Sequence, residues 1–296
     1  MHQANAGAMK KFATRLAGAG GLLALTLAGA SAQASTAAAA TGSCAKDQGY
    51  FFTAGDGGVF NYGAAAFHGS AGAIKLNKPV VGIASTPTGD GYWLVASDGG
   101  IFAYGDAQFY GSRGGLKLNK PIVGIASTPT GEGYWLVASD GGVFAFGDAK
   151  FHGSTGAIKL NKPVVGLSST NSGSGYWLAA SDGGTFNYGD APFLGSLGST
   201  HLNQPMVGIT TDRDGGGFWM VASDGGVFSF GNATFHGSAG AIKLNQPVVG
   251  IANTFAGNGY WLVARDGGIF SYGDAAFCGS TGSIKLNQPV VGVAPF

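Results

Sequence analysis

Six asparagines, Asn77, Asn119, Asn161, Asn203, Asn245 and Asn287, stand 42 residues apart, and five of them follow a lysine by two positions: Lys75, Lys117, Lys159, Lys243 and Lys285. A carboxamide supplies donors and an acceptor, and an ammonium supplies a mobile cation, so the pattern suits a polar, ligand-binding site repeated around a symmetric frame. Each pair lies in a loop of the type "AIKLNKP", where capping of the loop by Asn ahead of x-Pro is the alternative duty. Aspartates also recur once per repeat, at Asp56, Asp98, Asp140, Asp182, Asp224 and Asp266. Asp-Gly is a strong hairpin signal, which gives them a turn-making role, with ligand or calcium contact as the alternative.

Other chemistry is poorly supplied. His68, His152 and His236 share one slot of alternate repeats, too far apart for a common metal. No serine has glycine at both the second position before and the second after it, so the nucleophile elbow of an esterase is missing. The segments "VVGIAST", "IVGIAST", "VVGLSST", "MVGITTD" and "VVGIANT" offer hydroxyls and an amide but no His or Glu. Neither a catalytic residue, a metal nor a cofactor is expected.

The frame that must position these residues is set by the same period. A Gly-aromatic-aromatic marker begins at Gly49, Gly91, Gly133, Gly175, Gly217 and Gly259, and a Pro-apolar-apolar-Gly marker at Pro79, Pro121, Pro163, Pro205, Pro247 and Pro289. Within one unit, "PVVGIAST", "YWLVAS", "IFAYG" and "QFYGS" read as four short strands punctuated by "PTGDG", "DGG" and Gly-Asp. Four strands in 42 residues predict one blade of a β-propeller, because each blade has two apolar faces that neighbours must cover. The fold class is therefore all-β, a six-bladed propeller over residues 49–296 with four-stranded blades. Trp93, Trp135, Trp177, Trp219 and Trp261, with Phe51 in the first unit, occupy one slot of the second strand and are expected to pack between blades.

The first unit lacks a "PVVG" before its "GYF", and the last "PVVGVAPF" lacks a "GYW" after it. The C-terminal strand is expected to complete the first blade and close the ring, leaving no blade face bare. Cys44 precedes the first blade, and Cys278 holds in the sixth the slot of His68, Tyr110, His152, Leu194 and His236. Ring closure makes the two cysteines neighbours and predicts a disulfide in an oxidising compartment; two unrelated thiols are the alternative.

Residues 1–34 read as a secretory signal peptide, with Lys10, Lys11 and Arg15 ahead of an Ala/Gly/Leu run and small residues at Ala32 and Ala34. Residues 35–48 read as a linker. Removing the signal leaves 13 basic against 15 acidic side chains, a near-neutral balance that does not point to nucleic acid. No second apolar segment long enough to span a membrane follows, and a monomer is expected.

The stretch "LNKPIVGIASTPTGEGYWLVASDGGVFAFGDAKFHGS" resembles the NHL repeat, with its Pro-x-Gly-Ile-Ala strand, its Gly-aromatic strand ending in Ser-Asp and its closing glycine. It departs at the third strand, where Gly-Gly stands in place of a polar and basic pair. The wording "GYWLVASDGGVFAFG" is also similar to the repeats of secreted actinobacterial proteins that often carry an esterase label. The NHL resemblance implies six blades and closure by the chain ends. It implies no single activity, since NHL propellers include RNA binders, a lyase and receptor sensor domains. A secreted binding module for glycans or cell-surface polymers is the function expected, with an extracellular protein-interaction scaffold, or a propeller hydrolase or lyase, as alternatives.

Overall fold

The computed structural model describes Cys44 and residues 46–296; the signal peptide and most of the linker lie outside them. The described part is all-β, and no helix in it is long and apolar enough to cross a membrane. It forms six antiparallel sheets of three strands. The first joins β1 (Gly49–Ala54) and β2 (Val59–Gly63) to the last strand of the chain. The next three sheets are β3 (Val80–Ser85), β4 (Gly91–Ala96), β5 (Ile101–Gly105); β6 (Ile122–Ser127), β7 (Gly133–Ala138), β8 (Val143–Gly147); and β9 (Val164–Ser169), β10 (Gly175–Ala180), β11 (Thr185–Gly189). The last two are β12 (Met206–Thr211), β13 (Gly217–Ala222), β14 (Val227–Gly231); and β15 (Val248–Asn253), β16 (Gly259–Ala264), β17 (Ile269–Gly273). β18 (Val290–Pro295) completes the first sheet.

The first strands of the sheets touch one another in the cycle β3, β6, β9, β12, β15, β18 and back to β3, a propeller-like arrangement of six. Closure takes the form the repeat boundaries imply. β18 pairs with β1 from Tyr50 opposite Pro295 to Ala54 opposite Val290, and the Phe296 amide donates to the Gly49 carbonyl at 3.0 Å. Cys44 is joined to Cys278 with Cα atoms 4.7 Å apart, across a sequence separation of 234. A closed loop of that length restricts the unfolded chain by about 5 kcal/mol in the chain-entropy model, an upper bound. A C44S/C278S variant is expected to lose up to that amount in urea unfolding, with the sheets retained in far-UV circular dichroism.

The middle strand of each sheet explains why the units must associate. All six residues of Gly91–Ala96 are buried, as are those of its five counterparts. In β4, Tyr92 and Leu94 pack back towards Phe51, whereas Trp93 and Val95 pack forward with Tyr134 and Leu136. The forward aromatic of each sheet meets the backward aromatic of the next: Trp93–Tyr134, Trp135–Tyr176, Trp177–Phe218, Trp219–Tyr260, Trp261–Tyr50 and Phe51–Tyr92, with centroids 4.9–5.9 Å apart. Six such contacts close the cycle, and pairs of this geometry add to the area that they bury.

The expected fourth strand is absent from the blades. Residues 108–112 and their counterparts run as an extended strap without a ladder. The reason lies in where the strap's backbone groups go. The Trp93 indole donates to the Gln108 carbonyl at 2.7 Å, and the Tyr134 hydroxyl, from the next sheet, donates to the Gly111 carbonyl at 2.6 Å while accepting the Tyr110 amide at 3.2 Å. Side chains thus satisfy groups that a fourth strand would have paired. Gly111 has φ +132°, and a Cβ there would come within 2.6 Å of the Phe146 ring, so the strap presses glycine-first against the neighbouring sheet.

One junction departs from this scheme, and the preceding unit compensates for it. Phe218 stands where other units have tyrosine, so no phenol reaches Gly195. Thr185, where other units have Val or Ile, donates its hydroxyl to the Gly195 carbonyl at 2.7 Å instead.

Candidate functional site

The two ends of the strands are built differently. At one end, loops between the first and second strands are clamped shut. Asp106 accepts the hydroxyls of Thr86 at 2.9 Å and Thr88 at 2.6 Å, and Asp190 accepts those of Thr170 at 2.9 Å and Ser172 at 2.5 Å. The Ser172 hydroxyl is the main cause holding the Asp190 carboxyl below its ordinary range. These acids have partners inside the chain and serve the loops.

At the other end the hairpins between second and third strands meet the "LN" loops. The Ser97 amide donates to the Pro79 carbonyl, and the Ile122 amide donates to the Ser97 carbonyl, both at 2.9 Å, so one hairpin residue ties the incoming loop to the outgoing one. The same double tie recurs at Gly55, Ser139, Ser181, Ser223 and Arg265. Asp98 Oδ1 accepts the Gly100 amide at 3.0 Å, and the five equivalent aspartates do the same. The turn-making role read from Asp-Gly is therefore present in every sheet.

Above these ties lie open grooves of one design. One, of about 320 Å³, is lined by Lys78, Ser97, Asp98, Leu118, Asn119 and Lys120 among others. Its counterparts hold Asp182 with Asn203, Asp224 with Asn245, and Asp266 with Asn287, in volumes of about 290, 270 and 360 Å³. The hairpin aspartate and the loop asparagine, 21 residues apart in sequence, thus face one space. Asn77 and Asn161 are exposed in the corresponding loops. None of the six carboxamides takes a hydrogen bond within the chain among the described residues, so the loops are held by backbone bonds and not by an Asn cap. No curated protein and no family model matches the chain.

Lys75, Lys117, Lys159, Lys243 and Lys285 are exposed on the same loops but are not among the lining residues of these four grooves. The position that does line them is the residue after asparagine: Lys78, Lys120 and Lys162, replaced by Gln204, Gln246 and Gln288 in the second half of the chain. Sequence reasoning passed over that position, although "LNK" changing to "LNQ" is visible in the repeat.

The remaining candidates sort by burial. The five tryptophans are at most 1% exposed and donate their indoles to strap carbonyls, which makes them packing residues. His68, His152 and His236 each lie against a tyrosine of the next sheet, with ring centroids 5.7–5.9 Å apart. Those tyrosines are themselves donors to the straps, and burial pushes the Tyr260 and Tyr50 phenols up to about 12. Hydroxyls of the first strands bridge neighbours: Ser168 donates to Thr211 Oγ1 at 3.3 Å, and Thr210 to Asn253 Oδ1 at 3.2 Å. No group of three or more His, Cys, Asp or Glu placed to hold a metal is found among the described residues. A feature missed from sequence is a rim of phenylalanines on the straps: Phe67, Phe109, Phe151, Phe193 and Phe235 are 56–65% exposed.

Proposed function

We infer that the protein is a non-catalytic, extracellular binding module whose repeated grooves hold successive units of a glycan or a glycan-bearing surface polymer. The observation that carries this reading is the meeting of an exposed, unpartnered asparagine and a hairpin aspartate in four equivalent grooves. Carboxamide and carboxylate, joined by lysine amines in two of the four grooves, match vicinal sugar hydroxyls, which donate and accept at once, and in the Asn119 groove the Leu116 and Leu118 side chains offer an apolar strip for a sugar face. Shallow grooves bind weakly one by one. Equal grooves on one rigid frame raise the affinity for a repetitive polymer by roughly 10²- to 10⁴-fold. The Cys44–Cys278 bond supports work outside the cell.

A glycan array probed with the chain tests the reading, followed by the variant N119A/N203A/N245A/N287A. Exposed asparagines without internal partners leave stability within about 0.5 kcal/mol each. Polymer binding is expected to fall by about 100-fold or more as avidity collapses, with an unchanged melting curve. Full retention of binding by the quadruple variant would move the site elsewhere. The exposed phenylalanine rim supports a second reading, a scaffold for an extracellular protein. Capture of one protein at one-to-one stoichiometry, lost in an F109S/F151S variant and kept in the asparagine variant, would favour it.

A further inference from the structure

We propose that the glycan held at the hairpin end is anionic, bearing carboxylates or phosphodiesters, and that it is read by a cationic arc covering half of the cycle. This rests on the glycan reading above and specifies its ligand. Three consecutive loops carry two exposed lysines each: Lys75 and Lys78 lead into β3, Lys117 and Lys120 into β6, Lys159 and Lys162 into β9. The next three loops carry Lys243, Lys285 and His201, with glutamine at the second position. Hairpin aspartates are spread evenly, one per sheet, and so do not offset the asymmetry. The groove at Asn119 has two lysines against one aspartate, whereas the groove at Asn245 has one aspartate and two glutamines, and the groove at Asn287 only balances Asp266 with Arg265.

The opposite end of the strands has the opposite sign. Asp90, Asp106, Glu132, Asp148, Asp190, Asp212, Asp214 and Asp274 lie in its loops, against three basic residues, Arg213, Lys150 just after β8 and Lys46 just before β1. A polyanion is therefore drawn to one end and repelled from the other, and clustered like charges on a surface focus that field. Paired lysines three residues apart, repeated at each of these three loops, present a periodic cation array to a periodic anion. Flexible ammonium groups suit a chain whose charges vary in spacing.

The test compares three probes of equal length by calorimetry from 20 to 300 mM salt: an oligouronate, a poly(glycerol phosphate) and a neutral glucan. The variant K78Q/K120Q/K162Q installs the residue that the other three loops already have, so the fold is expected to hold, and a melting curve checks this. The wild-type chain is expected to bind one or both anionic probes, with an affinity that falls as salt rises. Three lysines near an anionic surface account for about 100-fold of that affinity, and the variant should lose it and show a shallower salt dependence. Preference for oligouronate or for poly(glycerol phosphate) identifies the anionic group.

Anionic binding that the variant leaves unchanged would overturn the proposal. Salt-insensitive preference for the neutral glucan would overturn it too, with the glycan reading intact. Binding of none of the three would sink both. Sedimentation at low salt that shows self-association lost in the variant would assign the arc to the acidic end of a second copy, and would also overturn the proposal.

Discussion

A chain ending at Gln288 is expected to lose its cooperative melting transition and to aggregate. That cut removes β18, which supplies the whole first-strand partner of β1 and the fully buried Val290. Tyr50, Phe51 and Phe52, all at 0% exposure in the intact chain, would be uncovered along one edge. Burying a side chain of this size contributes roughly 1.5–3 kcal/mol, so the combined loss reaches at least about 5 kcal/mol, the low end of a domain's net stability. The bared edge of β1 also presents unpaired backbone groups next to aromatic surface, a template for pairing between chains. Supplying residues 289–296 as a peptide should restore part of the transition. A truncated chain that melts cooperatively within a few degrees of the intact one would show that β18 is not needed for closure.

The second large effect is expected from Trp135→Ala. The indole is 0% exposed, lies between two sheets against Tyr176 at 5.9 Å, and donates to the Lys150 carbonyl at 2.8 Å. Truncation leaves a cavity, an unpaired carbonyl and a strap without its anchor, at a cost of about 3–5 kcal/mol. For a domain of this size the melting temperature should drop by roughly 6–20 °C. Trp135→Phe keeps most of the volume and loses the donor, so it should cost less, about 1–3 kcal/mol. Equal destabilisation by both substitutions would mean that the hydrogen bond to the strap, and not packing, dominates.

Much of the frame was legible because it is periodic. The Asp-Gly hairpins, the three strands and the closing pairing of β18 with β1 follow from markers that recur every 42 residues. The disulfide followed from closure, since two residues 234 apart become neighbours only in a completed cycle. The fourth strand failed for a physical reason that alternation cannot reveal. "QFYGS" has the apolar pattern of a strand, yet its carbonyls and amides are claimed by Trp93 and Tyr134. Only the position of donors in three dimensions shows that no ladder is needed there.

The inner glycines were similarly silent. Each first strand has a register shift just before its glycine, as between Val80 and Gly82, and a Cβ on Gly292 would lie 3.4 Å from Gly82 Cα. First strands approach so closely that a side chain has little room between them. Of the asparagines and lysines that recur in the repeat, Asn119, Asn203, Asn245 and Asn287 line the four grooves, and the lysines two positions before them do not. The meeting of Asn119 with Asp98 was not readable, because it depends on how the hairpin is tied between two loops by Ser97. Thr185 and Phe218 show the converse, a pair of departures in sequence that becomes one compensated contact once the strap is placed.

Isothermal titration of the chain with a short oligosaccharide taken from the best polymer on the array bears most directly on the repeated-groove function. Two or more equivalent sites per chain, each weak, with the number falling as Asn119, Asn203, Asn245 and Asn287 are replaced in turn, is the expected result. A single site, or binding that persists undiminished when all four are alanine, would contradict it.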